Sequence, residues 1–173
     1  MITVVESPLS KQRFLLLDAP TEKTLSNYIE PLKEENVKQL VRICNRHLDY
    51  DAAELERQAG IRVIDDIKFA DGNVPSPENI ENWLSLAEQA RQEGHTMAVH
   101  CVSGIGRAPG LFFMQVLVTL SLIESGMDPL DAISYVRQHR RGALNKIQVR
   151  FIDGYQPISK RSKWKQWFKK IVV

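Results

Sequence analysis

Cysteine is scarce in this 173-residue chain, which contains two, and no apolar run approaches the roughly 20 residues needed to span a bilayer. Two thiols are too few for a disulfide-stapled scaffold, and a zinc site would need more Cys or His residues at regular spacing. The N-terminal stretch MITVVESPLSKQRF lacks the basic region, the apolar stretch and the small-residue cleavage site of a secretion signal. We therefore expect a cytoplasmic protein with reduced thiols, no bound metal and no cofactor.

Acidic residues are nearly absent from the C-terminal part of the chain. From Arg137 onward, eleven Lys and Arg residues face a single acid, Asp153, whereas residues 1–136 contain twelve basic and twenty acidic residues. This asymmetry indicates an acidic partner or surface near the C-terminal end. With 43% hydrophobic and 25% charged residues, the chain has the composition of a globular protein. We predict one domain over residues 1–157 and a basic, aromatic tail over residues 158–173.

Apolar runs of strand length alternate with segments of helical pattern along the chain. The predicted strands are RFLLLDAP, VKQLVRICN, IRVIDD and TMAVHC. The predicted helices are TEKTLSNYIEPLKEENV, AAELERQAG, ENIENWLSLAEQARQEG, APGLFFMQVLVTLSLIESG, DPLDAISYVRQHRRG and IQVRFIDGYQ. Thr21 and Thr24 are candidate caps of the first helix, Ser76 caps the third, and Gly60 and Gly94 end the second and third. The alternation predicts a single-domain α/β fold with a mostly parallel central sheet flanked by helices.

The segment HCVSGIGRAPG, residues 100–110, places a cysteine, three glycines and an arginine between a predicted strand and a predicted helix. Helix N-termini bind oxyanions, and Gly104 and Gly106 permit the positive φ angles that turn successive amides toward one centre. Arg107 can donate two parallel hydrogen bonds to phosphate. Cys101, ionised by these positive groups, is then a nucleophile placed for attack on phosphorus. The alternative is a small buried thiol in an ordinary strand-to-helix turn.

The spacing Cys-x5-Arg is the signature of the protein tyrosine phosphatase superfamily, and HCVSGIGRAPG resembles the active-site loop of the phosphatases of regenerating liver (PRL, or type IVA). The stretches VRICN, FADGNVPS, NWLSLAEQA, LIESGM and VRQHRRGALNKIQ are similar to the same family in the same order. The resemblance implies the Cys-based phosphatase fold and hydrolysis of phosphotyrosine proteins or phosphoinositides through a phosphocysteine. The phosphate loop it implies consists of Val102, Ser103, Gly104, Ile105, Gly106 and Arg107.

Phosphoryl transfer to a thiolate requires an acid that protonates the leaving oxygen and later acts as base toward water. The family carries this acid in a loop before the helix that precedes the signature strand, and Asp71 in FADGNVPS is the matching position. Asp-Gly is also a common turn pair, and Asp65 and Asp66 are nearby competitors. The family's Trp-Pro-Phe before the acid is replaced by Ile67, Lys68 and Phe69, so this chain departs from the family at the residues that close the loop.

Ala108 occupies the position after the signature arginine, where most members of the superfamily have Ser or Thr. A hydroxyl there stabilises the departing thiolate when the phosphocysteine hydrolyses, whereas a methyl group donates no hydrogen bond. PRL phosphatases share this alanine. We therefore expect a fast first step, a slow second step and a long-lived phosphocysteine.

Four further residues carry roles that the resemblance implies, each with a structural alternative. Cys44 matches a cysteine that forms a reversible disulfide with the nucleophile, here Cys101; the alternative is a buried core thiol. His100 is expected to shape the loop through hydrogen bonds, although a plain core histidine is an alternative. Asn145 and Gln148 match a stretch near the active-site pocket, and a helix cap and a surface amide are their alternatives.

The tail sequence KRSKWKQWFKK interleaves cations with Trp164, Trp167 and Phe168. This mixture suits the headgroup region of an anionic membrane, so we expect peripheral attachment at the plasma membrane or the endosomal face. The alternatives are a solvated tail and a nucleic-acid-binding patch. We rank the membrane surface first and expect no nucleic-acid partner. The prenylated Cys-a-a-X box of PRL phosphatases has no counterpart in the final residues KKIVV. The cations concerned are Lys160, Arg161, Lys163, Lys165, Lys169 and Lys170.

Two functions of different class fit these observations. The first is a slow phosphatase that acts through Cys101, Arg107 and Asp71. The second is a membrane-associated regulator that binds CBS-pair magnesium transport mediators (CNNM proteins), as the resemblance implies, with the phosphocysteine as a switch; Ala108 favours it. An arsenate reductase with the same kind of loop is a third possibility, which the order of the other matching segments disfavours. Homo-oligomerisation stays open.

Overall fold

The computed structural model describes residues 1–43, 50–70, 73–101 and 113–158. Five strands form one sheet in the order β1-β2-β5-β3-β4. They are β1 (Ile2–Glu6), β2 (Arg13–Asp18), β3 (Val37–Arg42), β4 (Arg62–Ile64) and β5 (Thr96–Cys101). Six helices accompany them: α1 (Ser26–Glu34), α2 (Ala52–Ala59), α3 (Pro77–Glu93), α4 (Phe113–Glu124), α5 (Pro129–His139) and α6 (Lys146–Asp153). The predicted single-domain α/β fold is confirmed.

Four neighbouring strands of the sheet run parallel, and the pairing places β5 in the middle. β5 pairs with β2 on one side and with β3 on the other, and β4 extends the sheet beyond β3. Because the strands are parallel, their carboxyl ends meet at one edge of the sheet, here called the carboxyl edge. This edge carries the end of β5 at Cys101 between Asp18 of β2 and Arg42 of β3.

The first strand was not predicted from the sequence. Residues Ile2–Glu6 pair antiparallel with β2 and form an edge of the sheet. Its β-branched run, ITVV, is typical of a strand. As an antiparallel edge strand it leaves the remaining parallel arrangement unchanged.

Alternate residues of the central strands build two hydrophobic layers, one on each face of the sheet. Phe14 and Leu16 face the larger layer, in which α3, α4, α5 and α6 pack. Leu15 and Leu17 face the smaller layer, which α1 and α2 cover. Every residue of β5 is buried, as expected for a central strand covered by helices on both faces.

The predicted helix ends are confirmed for α2 and α3 and are wrong for the start of α1. The Asn79 amide donates to Oγ of Ser76 over 3.1 Å, and Gly60 and Gly94 end their helices with φ angles of 65° and 72°. α1 begins at Ser26, and the residue before it makes no side-chain cap. Thr21 and Thr24 instead bond to each other in the preceding turn, with 3.0 Å between their hydroxyl oxygens, so neither hydroxyl caps the helix.

Candidate active site

Cys101 is the last residue of β5 and lies at the carboxyl edge of the sheet. Only 2% of its surface is exposed, and it packs within the larger hydrophobic layer. The carboxyl edge of a parallel sheet is where such folds bind their ligands. The residues that follow Cys101, from Val102 through Arg107 and Ala108 to position 112, lie outside the described residues, so their predicted roles stay predictions.

His100 is fully buried directly before Cys101, and its ring is fixed by a neighbouring side chain. Nε2 of His100 lies 2.6 Å from the hydroxyl oxygen of Tyr50. The pKa of His100 is lowered to about 4. Burial is the main cause and the charge of Arg42 adds to it, while a hydrogen bond with the Cys101 backbone and the charge of Asp65 act in the opposite direction. The ring is therefore neutral at pH 7. This fits a structural role for His100 and does not fit proton transfer near neutral pH.

Arg42 and Asp65 form an ion pair beside this histidine. Nε of Arg42 donates to Oδ1 of Asp65 over 2.6 Å, and its Nη2 donates to Oδ2 of the same carboxylate. The guanidinium also lies over the Tyr50 ring, 5.2 Å from its centroid. Tyr50, Arg42, Asp65 and His100 are thus one connected group, here called the histidine support.

The ion pair makes Asp65 a poor competitor for the role of general acid. The hydrogen bond from Arg42 lowers the pKa of Asp65 below its ordinary value, while partial burial opposes this effect less strongly. Burial acts to lower the pKa of Arg42, but the hydrogen bond to Asp65 and the neighbouring charges raise it overall. Both partners are charged at neutral pH, and an ionised Asp65 has no proton to give.

Asp71 lies outside the described residues, but the structure describes both flanks of its loop. Before it, Ile67 is fully buried, and the backbone oxygen of Lys68 accepts a 2.9 Å hydrogen bond from the side chain of Asn79 in α3. After it, the amide of Asn73 donates to the oxygen of Ala70 over 3.1 Å. The described flanks of the loop are therefore bonded to each other through Ala70 and Asn73 and to α3 through Lys68.

Asn145 and Gln148 form a reciprocal cap at the start of α6. Oδ1 of Asn145 accepts from the Gln148 amide over 2.9 Å, and Oε1 of Gln148 accepts from the Asn145 amide over 3.0 Å. Gln148 is fully buried, and its Nε2 also donates to the backbone oxygen of Asn73 over 3.3 Å. The surface-amide alternative for Gln148 is thus excluded, and the cap of α6 contacts the acid loop two residues after Asp71.

A second ion pair lies at the carboxyl edge on the other side of β5. Asp18 is the register partner of Cys101, and its Oδ1 lies 3.1 Å from Nη2 of Arg140 at the end of α5. The N-terminal amine of Met1 binds the other carboxylate oxygen. The sequence did not predict that Asp18 binds both Arg140 and the Met1 amine, because these three groups lie far apart in the chain and no short motif links them.

The remaining predicted site residues fall outside the described part of the chain. These are Cys44 and the tail cations Lys160, Arg161, Lys163, Lys165, Lys169 and Lys170. Within the described ranges, no cluster of His, Cys, Asp and Glu is arranged to hold a metal ion. No helix in those ranges is both long and apolar enough to cross a membrane.

Comparison with known proteins identifies close relatives. A family model described as "Polymorphic toxin system, DSP-PTPase phosphatase" matches residues 18–120. Protein tyrosine phosphatase type IVA 3 from Homo sapiens is 44% identical over 155 residues, which cover 88% of this chain and 84% of the relative. Protein tyrosine phosphatase PRL-1 from Trypanosoma cruzi is 40% identical over 148 residues, 84% of this chain and 78% of the relative.

Solved structures agree with these sequence relatives. A putative protein tyrosine phosphatase from Leishmania major superposes with a TM-score of 0.72 at 35% identity, covering 90% of this chain and 98% of that one. Kinase associated phosphatase shares the fold, with a TM-score of 0.71 at 18% identity over 94% of each chain. The predicted family and enzyme class are therefore confirmed: the chain belongs to the type IVA (PRL) protein tyrosine phosphatases and is a cysteine-dependent phosphatase.

Proposed function

We propose that this protein hydrolyses phosphotyrosine in protein substrates through a phosphocysteine on Cys101, with slow release of phosphate. The observation that carries the proposal is the position of Cys101. It ends the central parallel strand, is backed by a neutral, buried His100, and opens the Cys-x5-Arg loop. A nucleophile at this edge faces the place where parallel α/β folds bind ligands.

The chemistry proceeds in two displacements at phosphorus. The Cys101 thiolate forms the S–P bond while the P–O bond to the leaving group breaks, and Asp71 gives that oxygen its proton. Water then attacks phosphorus, Asp71 accepts a proton from it, and the S–P bond breaks to regenerate the thiolate. Arg107 and the loop amides hold the phosphoryl oxygens in both steps.

Ala108 makes the second displacement slow, because no hydroxyl follows Arg107 to stabilise the departing thiolate. Rapid-mix kinetics with a small aryl phosphate under reducing conditions tests this. We expect a burst equal to the enzyme concentration, followed by slow turnover. Cys101→Ser should abolish the burst, and Ala108→Ser should accelerate the steady state. Absence of a burst in fully reduced protein overturns the catalytic proposal.

Phosphoinositides are a second substrate class with some support. PTPMT1 has been solved in complex with PI(5)P, and that structure superposes with a TM-score of 0.64 at 20% identity. The likeness supports only that this fold accommodates such a ligand. Soluble phosphoinositide headgroups and phosphotyrosine peptides, compared at equal concentration, decide which class is turned over faster.

Oxidative control through Cys44 is also part of the proposal. The Ile43 amide donates to the His100 oxygen over 2.9 Å, so the residue before Cys44 in the chain is bonded to the residue before Cys101. Hydrogen peroxide would oxidise the Cys101 thiolate to a sulfenic acid, and the Cys44 thiol would displace water to form a disulfide. Peroxide inactivation that dithiothreitol reverses in the native protein, but not in Cys44→Ser, is the expected result.

The regulator hypothesis is a second candidate. Ala108 favours it, because a long-lived phosphocysteine can hold the protein in a phosphorylated form that differs from the resting form in partner binding. In this proposal the unphosphorylated enzyme binds a CNNM-type membrane protein and phosphorylated Cys101 blocks access. A CNNM-type partner should then bind the resting protein and dissociate during the burst. Equal binding in both states contradicts it.

A further inference from the structure

A groove between the end of α5 and the start of α6 has a volume of about 490 Å³ and a basic rim. Its lining consists of Arg137, Leu144, Asn145, Lys146, Val149 and Arg150. Half-buried Val149 supplies most of the apolar surface between the three cations, because Leu144 is only 4% exposed. A groove with this composition offers both an apolar contact and a strong positive field.

One of the three cations is held rigidly by the turn that precedes α6. Arg137 donates from Nε to the oxygen of Ala143 over 2.9 Å and from Nη2 to the oxygen of Leu144 over 3.2 Å. The backbone of Leu144 has a φ of 70°, an unfavourable conformation for a residue with a branched side chain. The arginine therefore fixes a strained turn and is itself fixed beside the groove.

The other two cations lie one turn apart on α6, so they point from the same side of the helix. Lys146 and Arg150 are both exposed. Within the described ranges, no carboxylate lies within ion-pair distance of Arg137, Lys146 or Arg150. Their positive charges are thus available to an external anion.

The groove adjoins the loop of the proposed general acid. Asn145 lines the groove and caps α6 together with Gln148, and Gln148 in turn contacts the backbone of Asn73. Asn73 lies two residues after Asp71 in the chain. The α6 cap therefore connects the groove to the segment that follows the proposed general acid in the chain.

We propose that the groove binds acidic residues flanking the phosphorylated residue of a protein substrate, and so selects acidic phosphopeptides. Carboxylates would pair with Lys146 and Arg150, while an aliphatic side chain would cover half-buried Val149. An inositol phosphate headgroup lacks an apolar part, so it matches the cations but leaves the apolar lining in water. The inference rests on the proposed phosphatase function and adds a substrate preference to it.

The test compares kcat/KM for two phosphotyrosine peptides of equal length, one with Glu and one with Ala at the flanking positions. The native protein should prefer the acidic peptide by about tenfold, as two exposed ion pairs allow. In the double variant Lys146→Glu, Arg150→Glu this ratio should fall to one or below. The control Lys38→Glu, Arg62→Glu has the same change of charge at exposed strand positions remote from α6 and should keep the ratio.

Binding of the same peptides to Cys101→Ser gives a second readout that needs no turnover. The acidic peptide should bind more tightly than the neutral one, and this difference should disappear when the two α6 substitutions are added. An unchanged ratio in the α6 variant overturns the inference, as does a selective loss of phosphoinositide headgroup hydrolysis in that variant. If the native protein hydrolyses neither peptide nor a small aryl phosphate, the proposed function itself fails.

Discussion

At the scale of single residues, the site depends on side chains that lie far apart in the sequence. Tyr50 and His100 are separated by 50 positions, and Arg42 and Asp65 by 23. The sequence predicted the nucleophile because Cys-x5-Arg is local. It did not predict the histidine support. The register of β3 and β5 pairs Arg42 with His100, Tyr50 and Asp65 join them from outside the strands, and no short motif links the four.

The buried histidine makes the stability of the fold depend on pH. In the unfolded chain His100 takes up a proton near pH 6.5, whereas burial lowers its pKa in the fold to about 4. Between these values the unfolded state binds more protons, so stability falls as the pH falls from 6.5 to 4. The full loss is about 3 kcal/mol, measurable by urea unfolding across this window.

The variant His100→Asn separates this effect from the titration of other groups. It keeps a polar side chain but has no proton to gain, so its stability should change less between pH 6.5 and 4. Asp65 contributes in a different window, because its pKa is lowered and its stabilisation is lost at more acidic pH. Parallel pH profiles for the native protein and His100→Asn would contradict the assignment of a neutral, buried ring.

At the scale of elements, periodicity and capping predicted most of the fold. Four of the five strands were predicted, and Ser76, Gly60 and Gly94 mark helix ends as expected. The failures have local causes. The strand β1 is a short edge strand with partners on one side only, and the two threonines before α1 bond to each other in place of capping it.

The start of α6 joins two elements that the sequence presents as separate. Its reciprocal cap uses Oε1 of Gln148, and the Nε2 of the same side chain donates to Asn73 in the acid loop. Gln148→Glu keeps the capping oxygen but removes the amide donor. Above pH 7 we expect about a tenfold slower burst with phenyl phosphate, whose poor leaving group needs protonation, and a much smaller effect with nitrophenyl phosphate.

The dependence on the leaving group distinguishes positioning of the acid loop from a merely structural role. Asn145→Asp is the matched control, since a carboxylate still caps the helix and Gln148 retains its donor to Asn73. That variant should keep the native ratio between the two substrates. Equal losses with both substrates in Gln148→Glu would assign this glutamine to the helix cap alone.

At the scale of the whole molecule, the described chain ends at the edge of the sheet opposite the catalytic one. Oε1 of Glu124, the last residue of α4, accepts hydrogen bonds from the Tyr155 hydroxyl over 2.6 Å and from the Ile158 amide over 2.8 Å. The next residue after α4, Ser125, contacts Ser7 near the start of β2, with 3.2 Å between the hydroxyl oxygens. The 12 residues of α4 correspond to about 18 Å. The basic tail therefore starts well away from Cys101.

The tail's cations and aromatic residues predict attachment to an anionic membrane, and the position of its start predicts that attachment leaves the active site uncovered. The full chain should co-sediment with phosphatidylserine vesicles at low salt and be released at high salt, since each cation near an anionic surface contributes about 1 kcal/mol. Replacing Lys163, Lys165, Lys169 and Lys170 by Gln should abolish co-sedimentation, whereas the same change at Lys11, Lys23, Lys33 and Lys38 should not. Vesicles should leave turnover of a soluble aryl phosphate unchanged, because the catalytic edge faces away from the start of the tail. Strong inhibition by vesicles that the tail substitutions relieve would mean that the bound tail brings the carboxyl edge against the lipid.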